Sequence, residues 1–244
     1  MRPEEARSRI AALGFSERDT GTLVTHFDDA ERRGKRGHGY ARIPWLESLP
    51  DLDPSAEPTP TQRHEGFEAW DGRGALGYLT LAAIVDDVLA RPPEPARVIA
   101  ASNCFPTGML GHYVRRLAGA GFASFLTATS PARLAHPDGG PELAGTNPIA
   151  VGVPSSEGRP IVVDVSPAKA TWGEVIAGAA RAEDVVPFGG DQAHKAFALA
   201  LGMQLLVDSM VQGYGALLLV ARPVADPVPA LRALAGGLRL PGDR

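Results

Sequence analysis

Cysteine is nearly absent from this chain of 244 residues, since Cys104 is the single one. One cysteine cannot form an internal disulfide, and with six scattered histidines it leaves no spacing typical of a structural zinc site, so we expect no bound metal. Long apolar runs are also missing. The most apolar stretch, residues 197–211, contains Gln204 and Asp208 and is too short to cross a bilayer. The N-terminus is charged and carries no apolar leader segment.

An excess of positive charge is missing too. The formal net charge is −4, and the basic cluster at residues 32–36 is too short to give the electrostatic footprint of a nucleic-acid-binding protein. Hydrophobic residues make up 44% of the chain and charged residues 21%, which are ordinary values for a globular protein. We therefore expect a cytoplasmic protein of one large or two small domains, with no nucleic-acid or membrane partner.

The first fifty residues are predicted to be helical. A helix over residues 4–13 is followed by a second, which begins with a capping box at Ser16 and stops at Gly34. A connector rich in proline and polar residues comes next. We predict an N-terminal helical segment at 1–50 and an α/β domain at 62–244, which together form one compact unit.

Helices and strands alternate through the second part, which indicates an α/β fold. The predicted helices are 78–90, 109–118, 170–182, 194–211 and 229–238, and the predicted strands are 97–102, 122–129, 149–154, 160–165 and 214–221. The third and fourth of these strands flank a short turn and are expected to form a hairpin. The helix at 194–211 is apolar on nearly every side, which predicts a central, buried position.

Two glycine patterns match nucleotide-binding motifs only in part. Residues 72–77 have the pattern G-x-G-x-x-G in front of a helix, but we predict no buried apolar strand before them, and no acidic residue ends the next strand. Residues 140–145 have the spacing of the first half of a P-loop, but the lysine is missing. The sequence thus predicts neither a Rossmann site nor a nucleoside-triphosphate site.

His38 stands between two glycines, and Arg42 follows four residues later. The glycines leave the imidazole without steric cover. A helix that begins here would place the side chains of His38 and Arg42 on the same face. Imidazole exchanges a proton near neutral pH, and guanidinium binds a carboxylate through two parallel hydrogen bonds. The pair would suit a small acid that must be held and protonated. A surface histidine in a basic turn is the alternative.

Three further segments carry polar groups that could take part in catalysis or ligand binding. Asp164 ends an apolar strand, where a carboxylate is either part of a catalytic site or a cap for the next helix. The turn Gly145-Thr146-Asn147-Pro148 could bind the polar edge of a ligand, or it could be turn chemistry alone. Lys195 could reach a phosphate or carboxylate from the start of its helix, although a lysine there is usually solvated.

Several short segments match, in the same order, the signatures of one known family. They are residues 37–44 (GHGYARIP), 102–105 (SNCF), 129–131 (TSP), 145–150 (GTNPIA), 163–166 (VDVS), 187–190 (PFGG), 195–201 (KAFALAL) and 240–242 (LPG). In this order they resemble the type-2 malate/L-lactate dehydrogenase family, whose members reduce 2-oxo acids or cyclic imino acids with NAD(P)H. The resemblance implies a non-Rossmann NAD(P)-binding α/β fold of that type, a small carboxylate substrate and a homodimer.

The resemblance also implies a role for each matching residue. His38 would donate a proton during reduction, Asp164 would orient its imidazole, and Arg42 would hold the substrate carboxylate. The residues expected along the NAD(P)H cofactor are Ser102, Asn103, Thr146, Asn147, Ser166 and Lys195.

Some positions depart from the family pattern. Gly37 replaces a serine, Cys104 replaces a histidine, and Trp172 stands where a basic residue is common. The segment at 182–185 and the region after Gln212 are shorter than in other members. These departures keep a second hypothesis open: a degenerate relative without redox activity, serving as a binding or partner subunit or as a non-redox acid–base enzyme.

Overall fold

The computed structural model describes residues 1–243. The helices are α1 (Pro3–Ala12), α2 (Glu17–Arg32), α3 (Ile43–Glu47), α4 (Gly77–Ala90), α5 (Gly111–Gly119), α6 (Trp172–Ile176), α7 (Ala193–Asp208) and α8 (Val228–Ala235). The strands are β1 (Thr59–His64), β2 (Phe67–Asp71), β3 (Ala96–Ser102), β4 (Ala123–Ala128), β5 (Leu134–Ala135), β6 (Glu142–Ala144), β7 (Ile149–Val153), β8 (Ile161–Val165) and β9 (Ala216–Ala221). Short 3-10 turns lie at Arg36–His38, Tyr40–Arg42, Ala182–Asp184 and Gly190–Gln192. Within residues 1–243, no helix has both the length and the apolar character that a membrane crossing requires.

Seven strands form one sheet in the order β1-β2-β3-β9-β4-β7-β8. β2 and β3 run parallel, with Asp71 opposite Ser102, and the other neighbouring pairs are antiparallel. The predicted hairpin of β7 and β8 is confirmed, and it pairs Ala150 with Asp164. β5 and β6 form a separate two-stranded sheet.

The main core lies between this sheet and helices α4 and α5. Ile84, Leu117, Leu126 and Leu218 are all buried there. Burying a side chain of this size contributes about 1.5–3 kcal/mol. Because α4 and α5 are held in this way, the loops at their N-terminal ends have a rigid support.

A second core joins the N-terminal helices to α4. Ile10, Phe27 and Tyr78 pack together in it, so the two predicted segments share buried surface. Ser16 is the N-cap of α2, because its Oγ accepts a hydrogen bond from the Asp19 N–H at 3.1 Å, but the reciprocal bond of the predicted capping box is not formed. This packing fixes the direction in which the chain leaves α2 and enters the 3-10 turns.

The glycine pattern at 72–77 follows a strand that the sequence analysis did not predict. β2, α4 and β3 form a parallel unit with the pattern between β2 and α4. A Cβ on Gly72 would lie 2.2 Å from the Asn103 carbonyl oxygen, and one on Gly77 would lie 2.8 Å from that of Pro106. The backbone at 103–106 therefore packs against these glycines, where a Rossmann site would hold a phosphate.

Two helices differ from their predictions. α7 was predicted to be buried, but Leu199 and Leu205 are 40% and 61% exposed while Phe197 packs inward. An all-round apolar helix has no periodicity to show which face is covered, so the prediction was wrong. The predicted helix at 170–182 is also too long, because Gly178 adopts φ +69, a left-handed conformation that ends a helix.

We expect Gly77→Ala to destabilise the protein, because its Cβ would lie within 3 Å of backbone atoms of residues 104–106. Overpacking of this kind costs about 1–3 kcal/mol. The matched control is Gly202→Ala in α7, where a Cβ would meet nothing within 4 Å and the helix would gain about 0.5–1 kcal/mol. Denaturant unfolding measures both free energies. Equal stability of the two variants would contradict this account of the glycine pattern.

Candidate active site

A cavity of about 240 Å³ lies between the 3-10 turns at 36–42, the loop at 129–148 and the start of α6. Five predicted site residues line it, namely His38, Arg42, Thr146, Asp164 and Ser166. Other side chains at its wall are Lys35, Trp45, Tyr78, Arg133 and Trp172. The fold thus brings the two predicted catalytic residues to the same cavity.

Arg42 is a buried cation that forms no ion pair within residues 1–243. The residue is 6% exposed, and its Cζ lies 4.1 Å from the ring centroid of Trp45. Its Nε is buried and has no hydrogen-bond partner among the described residues. Ile43, the next residue, is fully buried in the second core and fixes the backbone here. Because a buried charge is costly unless it is paired, this guanidinium favours the binding of an anion.

His38 is half-buried at the cavity wall, where its backbone N–H donates to the Lys35 carbonyl oxygen at 2.8 Å. Burial, together with the positive charges of Arg42 and Lys35, lowers the pKa of His38 to about 3. The imidazole is therefore neutral at pH 7, and its protonation is disfavoured in the free protein. An anion bound beside these two cations would offset their charges and raise the pKa of His38.

Asp164 lines the cavity but does not contact His38 as expected. Its carboxylate accepts a hydrogen bond from the Gly111 N–H at 2.9 Å, and its carbonyl oxygen accepts one from Lys35 Nζ at 3.4 Å. Within residues 1–243, no hydrogen bond or ion pair joins it to His38. Burial raises the pKa of the Asp164 carboxyl group. The carboxylate therefore caps the start of α5, which is nearer to the capping alternative than to the predicted orienting role.

Gly37 is a glycine because α6 packs directly on it. A Cβ at Gly37 would lie 2.7 Å from both the Gly173 carbonyl carbon and the Glu174 nitrogen. A capping box between Thr171 and Glu174 fixes the start of α6 at this place. The serine found here in the family would collide with this helix. The close approach brings Thr171 and Trp172 to the cavity wall.

A hydrogen-bonded network joins two of the predicted cofactor residues. Ser166 Oγ donates to the Thr146 carbonyl oxygen at 2.9 Å, and the Thr146 N–H donates to Ser130 Oγ at 3.1 Å. All three residues line the cavity. They form one polar wall to which the end of β8 and the loop before β7 both contribute.

Asn147 was expected along the cofactor, but it does not line the cavity. It is fully buried with φ +25, a left-handed conformation that asparagine tolerates. Its Nδ2 donates to the Ala200 carbonyl oxygen and to Gln204 Oε1, each at 2.9 Å, and its Oδ1 accepts from the Ser130 N–H. These bonds fasten the loop at 145–148 to α7, so Asn147 positions the polar wall.

Ser102, Asn103 and Lys195 also lie away from the cavity, so their expected place along the cofactor stays a prediction. Ser102 Oγ accepts from the Gln212 N–H at 3.2 Å, and Asn103 Nδ2 donates to Asp71 Oδ1 at 2.9 Å. These bonds hold the ends of β2 and β3 and the loop before β9 together. Lys195 is exposed in the first turn of α7.

Sequence reasoning missed three important cavity residues. Lys35 was noted only as part of a basic cluster, although it is three residues from His38. Trp45 follows Arg42 at a spacing that brings side chains together on a helical turn, which was a usable signal. No neighbouring sequence pattern predicted Arg133, whose Cζ lies 3.6 Å from the ring centroid of Trp172. That contact joins distant parts of the chain.

The residues present fit the reacting end of a nicotinamide cofactor. Thr146 and Ser166 offer polar groups, and the unpaired guanidinium of Arg42 suits a substrate carboxylate beside them. The cavity, at about 240 Å³, is smaller than the roughly 300–1,000 Å³ of pockets that enclose whole drug-sized ligands. A cavity of this size does not enclose a whole dinucleotide.

Comparison with known proteins points to one family. The family model for malate/L-lactate dehydrogenase matches residues 4–190. The (2R)-3-sulfolactate dehydrogenase (NADP(+)) of Chromohalobacter salexigens is 28% identical over 187 residues, which are 75% of this chain and 56% of that protein. The chain thus spans little more than half the length of this relative.

Solved structures share the fold. The delta1-piperideine-2-carboxylate reductase of Pseudomonas syringae pvar. tomato has a TM-score of 0.83 at 24% identity, covering 99% of this chain and 89% of that chain. The sulfolactate dehydrogenase of Methanocaldococcus jannaschii has a TM-score of 0.78 at 19% identity, covering 97% and 82%. The predicted non-Rossmann fold is confirmed. With most of its length matched by the family model, the chain belongs to the malate/L-lactate dehydrogenase family.

Proposed function

We propose that this protein is an NAD(P)H-dependent reductase, or in reverse a dehydrogenase, of a small 2-oxo (2-hydroxy) acid or cyclic imino acid. The observation that carries the proposal is the buried guanidinium of Arg42, which has no anionic partner among residues 1–243 and lines a small cavity with His38. Family membership supports the reaction class, and the printed name of the Chromohalobacter relative supports a nicotinamide cofactor.

Arg42 is the anchor for the substrate carboxylate. Trp45 covers one face of its guanidinium, and the N–H groups at the edge stay available for two parallel hydrogen bonds. A carboxylate held there fixes the substrate relative to His38. Orientation of this kind lowers the barrier because the reacting groups no longer have to find each other.

His38 is the proton donor in reduction and the acceptor in oxidation. In the free protein its low pKa keeps it neutral, so a ring nitrogen is unprotonated, but the imidazole becomes an effective base for the hydroxyl proton of a 2-hydroxy acid only once a bound carboxylate raises that pKa. For reduction the imidazole must be protonated. The substrate carboxylate on Arg42 favours this, because it offsets one of the two cations that lower the pKa of His38.

The cofactor, when bound, supplies or accepts the hydride at the substrate carbon. Thr146 and Ser166 would hold its nicotinamide end, and Lys195 would contact the part outside the cavity. Asp164 acts as a positioning residue, since it fixes the start of α5 and receives a hydrogen bond from Lys35.

We also propose that the protein forms a homodimer. The exposed apolar side chains of α7, among them Leu199, Leu205 and Leu206, supply a surface that association would cover.

A family member without redox activity is the second candidate, as a binding or partner subunit or a non-redox acid–base enzyme. The observation that favours it is the small cavity, with Trp172 at its wall where a basic residue is common. Titration with NADH and NADPH, followed by fluorescence, separates the two. Saturable binding supports the reductase, and no signal into the millimolar range supports the second candidate.

We expect Lys35→Met to raise the pKa of His38, because it removes one of the two cations that lower it. Proton NMR of the imidazole gives both values. The sign for stability follows from the same shift: below the ordinary pKa of 6.5 the unfolded chain binds the proton more readily, so the free energy of unfolding falls as pH drops towards 3. An unchanged pKa in the variant would show that Lys35 does not act on this imidazole.

His38→Ala should lower kcat by about 10²–10⁴-fold, since general acid–base catalysis typically contributes that much. Affinity for NAD(P)H should stay nearly the same, because the imidazole acts on the substrate. The control is His64→Ala, at an exposed position in β1, which should behave like the unaltered protein. Steady-state reduction of 2-oxo acids and a fluorescence titration measure the two effects. Unaltered turnover would remove His38 from the mechanism.

A further inference from the structure

Three of the four tyrosines are buried, and they differ in whether the hydroxyl is paired. Tyr40 Oη donates to Asp28 Oδ1 at 2.9 Å, and Tyr113 Oη donates to the Thr107 carbonyl oxygen at 3.1 Å. Tyr78 is only 1% exposed, and its buried Oη has no hydrogen-bond partner among residues 1–243. Because a buried hydroxyl is unfavourable unless it is paired, this one is suited to a partner that enters from outside the chain.

Tyr78 lines the cavity, and its ring is held firmly there. His26 and Phe27 pack edge-on against the ring, with centroid distances of 5.0 and 5.2 Å. In the loop before α5, Gly108 approaches so closely that a Cβ on it would collide with the ring. Rotation of the ring about its own axis leaves the hydroxyl oxygen where it is. The surrounding contacts therefore fix the position of the hydroxyl.

Tyr78 and His38 border neighbouring parts of this cavity. Burial, with the charges of His112 and His38, lowers the pKa of His26 well below its ordinary value, so His26 lies within electrostatic reach of His38. The same His26 ring packs against Tyr78. Because the cavity measures only about 240 Å³, a ligand atom that meets His38 is also close to Tyr78.

The reaction proposed for this cavity places negative charge on one oxygen. When hydride reaches the carbonyl carbon of a 2-oxo acid, the π electrons move to the oxygen, which then takes up a proton. The protonated form of His38 is scarce in the free protein, because the pKa of His38 is about 3. A hydroxyl donates a hydrogen bond without being protonated first. A fixed donor in a buried site stabilises such a developing charge.

We propose that Tyr78 is a further catalytic residue, whose hydroxyl donates a hydrogen bond to the oxygen on the reacting carbon and stabilises the charge that develops there. The hydroxyl keeps its proton throughout. The proton that ends on the product oxygen comes from His38, and the hydride comes from the reduced nicotinamide, so oxidation of a 2-hydroxy acid is the same sequence in reverse. This inference rests on the proposed function, whose cavity it shares.

The first experiment is Tyr78→Phe, which removes the hydroxyl and keeps the ring. Removal of one donor to a developing oxyanion typically lowers kcat by about 10²–10³-fold, and we expect a loss of that size in the reduction of pyruvate. KM should change little, because the bond strengthens only as the charge develops. The control is Tyr214→Phe, which should leave kcat unchanged, since Tyr214 is exposed and does not line the cavity.

The stability of the same variant separates catalysis from packing. Tyr78→Phe removes an unpaired hydroxyl, so the midpoint of its denaturant unfolding should equal or exceed that of the unaltered protein. Tyr113→Phe removes a hydroxyl that is bonded to the protein, so its midpoint should fall. A loss of activity in Tyr78→Phe that comes with a lower midpoint would assign the hydroxyl to packing and overturn the proposal.

The third measurement needs neither cofactor nor turnover. Pyruvate and propionate have the same three-carbon skeleton and one carboxylate, and they differ in the oxygen on the second carbon. Calorimetry should show that pyruvate binds about three- to tenfold more tightly, and Tyr78→Phe should remove much of this difference. Equal affinities of the two acids for the unaltered protein would overturn the proposal, whether or not the variant folds.

The outcomes also separate this proposal from the proposed function. Unchanged kcat in Tyr78→Phe would contradict the role of the hydroxyl and leave the reductase intact. A raised KM with unchanged kcat would assign the hydroxyl to the substrate carboxylate and overturn the proposal. A preference for pyruvate that depends on Tyr78, without reduction of any 2-oxo acid, would support the contact with the oxygen and contradict the proposed function.

Discussion

The guanidinium of Arg42 is buried, with only 6% of the residue exposed, and no carboxylate in the described chain pairs with it. An uncompensated buried charge costs several kcal/mol, so such an arrangement persists only where the surrounding structure holds it. Ile43, which is buried in the second core, fixes the backbone beside Arg42. The ring of Trp45 stacks on the Arg42 guanidinium. The same charge lowers the pKa of His38, so one cation sets both the affinity for an acid and the protonation state of the group beside it.

The wall that closes the cavity depends on a backbone contact. Gly37 and Gly173 approach so closely that a Cβ on either would lie within 3 Å of the other's backbone. This contact places Trp172 at the cavity wall, and the guanidinium of Arg133 stacks on the Trp172 ring. The replacement of serine by Gly37 and the presence of Trp172, which look like separate losses in the sequence, are therefore two parts of one arrangement.

The sequence predicted the local features well and the distant contacts poorly. The spacing of His38 and Arg42 placed both at one cavity, although two 3-10 turns achieve this instead of a helix. Asp164 was found, but its hydrogen bond to Gly111 was not, because a strand end gives no sign of which helix start it will meet. No sequence pattern near Arg133 predicted that it lines the cavity. The predicted burial of α7 was wrong for a related reason. A helix that is apolar on every side gives no indication of which neighbours cover it.

The central claim is that the Arg42 guanidinium binds the carboxylate of a small acid, and NMR of its Nε–H tests this most directly. Lactate and lactamide have the same shape and differ in the charge of one group. The account predicts a saturable downfield shift of the Arg42 Nε–H with lactate and none with lactamide, since only a carboxylate forms the charge-assisted pair. No shift with lactate at saturation, or the same shift with lactamide, would contradict it.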